Sequence, residues 1–125
     1  KCDSVLTAGT HGSTFGGNPI ACAGGIAVLD RLSQEGFLDE VMAKADYFRE
    51  KLSAMSEVSA LSGIGLMIGI SLKSKKAADV AKKALESGLL VLTAKDKVRL
   101  LPPLTISYEE IDKGLEILEK VMTEV

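Results

Sequence analysis

Apolar and polar positions recur along this chain with two distinct periods. Leu38, Val41, Met42, Ala45, Phe48, Leu52 and Met55 follow one another in steps of three and four, the spacing that gathers side chains on one face of a helix. The pattern predicts a helix over residues 37–55, with Asp39, Lys44, Asp46 and Glu50 on a solvated face. An earlier helix is predicted over Pro19–Leu32. Asn18 suits its N-cap and Pro19 its first position. This stretch holds Ala21, Cys22, Ala23, Gly24, Gly25 and Ala27. Each glycine weakens a helix by about 1 kcal/mol relative to alanine, so a helix that retains them is expected to bring its backbone close to a partner.

Further along, the runs 58–62 and 66–72 read as strands joined through Gly63-Ile64-Gly65. Residues 75–87 predict a helix stopped by Gly88. Residues 89–93 and 97–101 predict two more strands around the turn Ala94-Lys95-Asp96, and Pro102-Pro103 ends the second because proline lacks the ladder donor. Ser107 and Glu110 form a capping box before a last helix whose core face is Ile111, Leu115, Leu118 and Met122. The order helix, helix, strand, strand, helix, strand, strand, helix predicts an α+β layer: a small, mostly antiparallel sheet of about four strands with helices packed on one face. Residues 1–18, small, polar and glycine-rich, read as a lead-in loop, and residues 19–125 as the domain.

Composition narrows the function classes. A chain of 125 residues, 46% hydrophobic and 26% charged, is sized and built for one core. A net charge of −2 and the absence of Trp argue against nucleic acid and anionic lipid as partners. No apolar run approaches the roughly 20 residues of a membrane span, and no segment reads as a signal peptide. The chain starts at Lys1 and is expected to be a fragment or processed product. Two cysteines, Cys2 and Cys22, do not make a disulfide framework. They read as inert packing residues in a reducing cytoplasm.

Three places could carry chemistry. In residues 10–18, Ser13 and Thr14 offer adjacent hydroxyls, while Gly12, Gly16 and Gly17 leave backbone N–H groups accessible. Such a run can wrap an anion. It lacks the Gly-Lys-Ser/Thr of a P-loop, and a plain glycine linker fits the same composition. Arg99 lies in an apolar strand, where it either faces water or binds an anion. The spacing Gly63-x-Gly65-x-x-x-Gly69 fails the dinucleotide fingerprint and reads as a tight turn. His11, the single histidine, has no triad or metal-ligand companions, so it reads as a structural or loop residue and no metal site is expected.

The segment His11-Gly12-Ser13-Thr14-Phe15-Gly16-Gly17-Asn18-Pro19, continued by Ile20-Ala21-Cys22-Ala23, resembles the signature of the class III (ornithine-type) aminotransferases. The resemblance extends through Ser62-Gly63-Ile64-Gly65-Leu66-Met67-Ile68-Gly69, Val98-Arg99-Leu100-Leu101-Pro102-Pro103-Leu104 and the helix after Ser107. It covers essentially the whole chain. Leu90-Val91-Leu92-Thr93-Ala94 and the short loop before Arg99 are most similar to the acetylornithine-using branch. Ser62 departs from the pattern, standing where arginine is usual.

The resemblance implies the C-terminal small domain of a fold type I enzyme that uses pyridoxal 5′-phosphate (PLP). It implies a homodimer acting on small amino acids and 2-oxo acids. Thr14 would bind the cofactor phosphate of the neighbouring subunit with help from Ser13, and Arg99 would bind the substrate α-carboxylate. The expected reaction moves an amino group from N-acetylornithine to 2-oxoglutarate, a step of arginine biosynthesis. Ornithine, 4-aminobutyrate and succinyl-diaminopimelate are alternative amino donors, and a non-catalytic phosphate-binding or interaction module is a further alternative. The lysine that holds the cofactor as a Schiff base lies upstream of the signature in the family, so this chain alone is expected to be inactive.

Overall fold

The computed structural model describes Thr7 and residues 9–125, and the reading of Cys2 falls outside them. The chain divides into two compact units, residues 1–37 and 38–125. The first carries helix α1 (Pro19–Leu32). Asn18 is extended and its side chain accepts from the Ala21 N–H at 2.9 Å, so the predicted cap and Pro19 start are both present. No residue of α1 is buried, and Ile20, Ile26, Val28 and Leu29 are all more than half exposed. Cys22 is exposed as well, which corrects its expected packing role.

Helix α2 (Phe37–Ala54) opens the rest of the chain. It is followed by β1 (Val58–Ile64), β2 (Met67–Leu72), α3 (Ala77–Glu86), β3 (Leu92–Ala94), β4 (Lys97–Leu100) and α4 (Tyr108–Glu124). The four strands form one antiparallel sheet in the order β1-β2-β4-β3. The predicted α+β architecture is therefore the observed one.

Period two along the strands decides which side is core. Ile68 and Ile70 of β2 pair with Leu100 and Val98 of β4, and all four are buried. The intervening Gly69, Lys97 and Arg99 are half-buried on the other face, where Met67 is exposed. The core is completed by Phe48 and Leu52 of α2, Val80 and Ala84 of α3, and Ile111, Leu115, Leu118 and Val121 of α4. Each large aliphatic buried this way contributes about 1.5–3 kcal/mol.

Two expectations for α2 are corrected. Leu38 and Met42 are exposed and Lys44 is buried. The residues inside are Val41, Ala45, Phe48, Leu52 and Met55, so Leu38 and Met42 form a second apolar ridge beside the buried one. Lys44 packs its stem and sets its ammonium 2.7 Å from Glu40, one turn away. Tyr47 ties α2 to α4: its hydroxyl donates to Asp112 at 2.6 Å, and its ring meets Tyr108 edge to face at 5.2 Å. The Asp112 carboxylate holds the Tyr47 hydroxyl above its ordinary pKa.

Local hydrogen bonding also moved three element ends. Gly63 and Ile64 belong to β1, and the turn is the two-residue Gly65-Leu66 between the paired Ile64 and Met67. At Gly63, φ is +103° and an added Cβ would lie 1.9 Å from the Met67 carbonyl oxygen. The α3 start is delayed because Glu57 accepts the N–H groups of Ser74 and Lys75 at 2.6 and 2.8 Å, which holds that segment outside the helix. At its C-terminus Gly88 takes φ +84°, the Leu89 N–H reaches Ala84 O at 2.8 Å and the Gly88 N–H reaches Leu85 O at 3.1 Å. This Schellman arrangement uses the Leu89 donor, so the third strand begins only at Leu92 rather than at residue 89.

Two backbone sites predict opposite responses. Gly63→Ala should destabilise by about 3 kcal/mol or more, since both φ and the Met67 carbonyl oppose a side chain. Lys95, at φ +56° in the turn after β3, should gain about 0.5–1 kcal/mol as Lys95→Gly. Urea unfolding of both variants checks this pair.

Two carboxylates that accept backbone N–H groups set a pH dependence. The Ser74 and Lys75 N–H groups hold Glu57 below the usual carboxylate range, and the Ser107 N–H does the same for Glu110 in the capping box. A depressed folded-state pKa gives stability that is present above the unfolded value, about 4.3 for glutamate, and is lost as pH falls through the folded value. Thermal midpoints should drop below pH ~4.3, and Glu57→Gln should lower the midpoint at pH 7 while making the acid drop shallower. An equally steep drop in the variant would show that Glu57 does not contribute.

Candidate functional site

The loop before α1 is organised by its own short side chains. Ser13 Oγ accepts the Gly16 N–H at 2.9 Å, and an added Cβ at Gly16 would lie 2.9 Å from Ser13 Cβ and Oγ. Asn18 donates to the Phe15 carbonyl at 2.6 Å while capping α1. Gly17 sits at φ +73°. These bonds fold residues 13–18 into a compact turn running into the helix. Ser13 uses one lone pair, and its O–H donates to no group among the described residues. Thr14 is exposed, and its hydroxyl has no partner among the described residues. The predicted pair thus presents donors, and the turn that presents them is capped onto α1. Phe15, 81% exposed, adds no ligating group, and His11 is also exposed.

Arg99 belongs to the second unit. It lies on β4 between Gly69 of β2 and Leu92 of β3 and is half-buried. It is one of the residues around a cleft of about 340 Å3 whose walls run from Leu89–Leu92 and Leu101-Pro102-Pro103 to the core residues Leu100, Ile111 and Leu115. The walls are apolar, and Glu110 is the one carboxylate among the lining residues. Arg99 makes no ion pair among the described residues, and its Nε–H is buried without an acceptor. A guanidinium in this setting favours an incoming carboxylate, because its fork can engage both oxygens. A buried N–H left unpaired costs about 1–3 kcal/mol, which a bound carboxylate would remove.

The sheet face that carries Arg99 includes groups that the sequence did not single out. Lys97, two residues earlier, crosses β2 and donates to Ser62 Oγ on β1 at 3.0 Å. Ser62 also donates to the Gly69 carbonyl at 3.3 Å. The position where arginine is usual in the resembling family thus holds a serine that receives a lysine from another strand. Arg49 of α2 donates to the Gly63 carbonyl at 2.9 Å and anchors the same hairpin. The only advance signal was Ser62 itself, because the register that brings Lys97 to it cannot be read from spacing. Among the described residues no group of His, Cys, Asp and Glu could hold a metal ion, and no helix is long and apolar enough to cross a membrane.

The profile of the Aminotransferase class-III family matches residues 1–122. The chain belongs to that family. Among class-III aminotransferases, it is 44% identical to the acetylornithine aminotransferase of Caldanaerobacter subterraneus subsp. tengcongensis, over 98% of this chain and 32% of that protein. The crystal structure of acetylornithine aminotransferase from Elizabethkingia anophelis superposes with a TM-score of 0.80 at 30% identity, over 98% of this chain and 34% of the other. The ornithine aminotransferase of Toxoplasma gondii, described with partial occupancy of PLP at its active site, superposes with a TM-score of 0.76 at 33% identity, over 98% of this chain and 31% of the other. The chain therefore spans about a third of the length of these relatives.

Proposed function

We propose that this chain is the C-terminal part of an acetylornithine aminotransferase, with residues 1–18 as the cofactor-phosphate segment and residues 19–125 as the small domain. The parent enzyme would be a cytoplasmic homodimer that converts N-acetylornithine and 2-oxoglutarate into N-acetylglutamate 5-semialdehyde and glutamate in arginine biosynthesis. The observation that carries the site assignment is Arg99, whose Nε is buried without a partner among the described residues and which is one of the residues around an apolar cleft. The 44% identity to an acetylornithine aminotransferase favours that substrate. The likeness to ornithine aminotransferase favours ornithine as a second reading.

The donor set fits PLP. Thr14 would give its hydroxyl to the cofactor phosphate and Ser13 its remaining O–H, while the glycine turn keeps neighbouring amides within reach of the same anion. In the homodimer these groups would serve the neighbouring subunit's cofactor. When bound, PLP supplies the electron sink that makes amino transfer feasible. Arg99 would hold the α-carboxylate of each substrate in turn, fixing the reacting carbon relative to the cofactor. The apolar walls of the cleft would exclude water from that ion pair and strengthen it. No residue of this chain is assigned a proton transfer. The chain alone should bind PLP at millimolar concentration or not at all.

Grafting residues 1–125 in place of the matching third of the Caldanaerobacter enzyme tests the reading. The chimera should transaminate N-acetylornithine in preference to ornithine. Thr14→Val should weaken PLP binding about tenfold or more, and Arg99→Lys should raise KM for both carboxylate substrates by about 10–100-fold, because an ammonium cannot fork a carboxylate. Unchanged KM in the Arg99→Lys chimera, or a preference for ornithine, would contradict the corresponding assignment.

A further inference from the structure

Three observations meet on the open face of the sheet. Lys97 does not lie straight across from its own place on β4 but leans over Gly69, the residue paired with Arg99. A Cβ at Gly69 would lie 2.8 Å from Ser62 Oγ and in ordinary contact with Lys97 Cδ at 3.5 Å, so the lysine stem passes directly over the glycine and Ser62 would have to turn aside to admit a side chain there. Lys97 is then tethered by its Nζ to Ser62 Oγ at 3.0 Å. Finally, neither Lys97 nor Arg99 forms an ion pair among the described residues. Two uncompensated cations two residues apart on one strand repel each other unless an anion sits near both.

We propose that Lys97, tethered to Ser62 across Gly69, is a positioning residue for Arg99. Its stem fills the space above Gly69, the residue paired with Arg99, into which the Arg99 side chain would otherwise lean. Its ammonium adds a second positive charge to the field felt by an anion at Arg99. The same pair explains how the chain does without an arginine at position 62: the cation on this face comes from β4 instead of β1. This inference rests on the reading of Arg99 as a carboxylate site and extends it to a residue that does not itself touch the substrate.

The test is nuclear magnetic resonance of the arginine Nε–H signals of the 125-residue chain, titrated with glutarate as a five-carbon dicarboxylate. The Arg99 signal, assigned by its loss in Arg99→Gln, should shift saturably in the wild type. Lys97→Met should weaken glutarate binding roughly three- to fivefold through loss of a nearby charge. Ser62→Ala, which removes only the tether, should weaken it about twofold and lower the heteronuclear NOE of the Arg99 Nε–H in the absence of ligand. Lys97→Arg should restore binding to within about twofold of wild type. A saturable shift that is lost in Arg99→Gln but unchanged in Lys97→Met and Ser62→Ala would overturn the positioning role and leave the Arg99 assignment standing. No saturable shift in the wild type would overturn both.

Discussion

The register between β2 and β4 is the constraint on which the candidate site depends. Burying Ile68 and Ile70 against Val98 and Leu100 forces the alternating positions Gly69, Lys97 and Arg99 onto the opposite face. A slip of one residue would carry Arg99 into the core and expose Val98 and Leu100. Four apolar side chains, each worth about 1.5–3 kcal/mol when buried, therefore hold a cation outward in one place. The helices reinforce the choice, since α3 and α4 pack on the apolar side and leave the other face open. The short turns help in turn: Gly63 and Gly65 fix the β1–β2 hairpin, and the Schellman close at Gly88 delivers Leu89–Leu92 to the rim of the cleft.

Much of this architecture was legible in the residues. Element order follows from two periods of apolar spacing and from a few unambiguous punctuation marks, among them Asn18-Pro19, Gly88, Pro102-Pro103 and the Ser107/Glu110 box. Each of those marks acts through local backbone bonding, which is why it can be read without tertiary structure. Three element ends were less legible because distant groups set them. Glu57 holds the start of α3 from 17 and 18 residues away, and the Leu89 donor goes to a helix carbonyl before a strand can use it. On α2, two apolar ridges were present in the pattern, and only packing could say which one is buried. Lys44 looked solvated for the same reason: its partner Glu40 and its buried stem depend on where α2 lies.

The site divides along similar lines. Ser13, Thr14 and Arg99 were named from a segment and a strand whose likeness to class-III aminotransferases is specific, and the match of the family profile over residues 1–122 establishes that family. The structure adds the state of each group among the described residues: Ser13 half-engaged by its own turn, Thr14 unengaged, Arg99 Nε buried without a partner. Lys97 could not have been found from spacing, because it reaches Ser62 across 35 residues of sequence and two strands. The exposed apolar side chains of α1, Ile20, Ile26, Val28 and Leu29, fit the proposed reading too. In an enzyme about three times this length, they are the surface that the rest of the protein would cover.

The most direct test of the central claim is a crystal structure of the grafted enzyme loaded with PLP and soaked with glutarate. The expected density shows a carboxylate forked by the Arg99 guanidinium, with its Nε paired, and a cofactor phosphate oxygen within hydrogen-bond distance of the Thr14 hydroxyl of the neighbouring subunit. A properly folded graft in which glutarate binds away from Arg99, or in which Thr14 faces solvent while the phosphate is held by other residues, would contradict it.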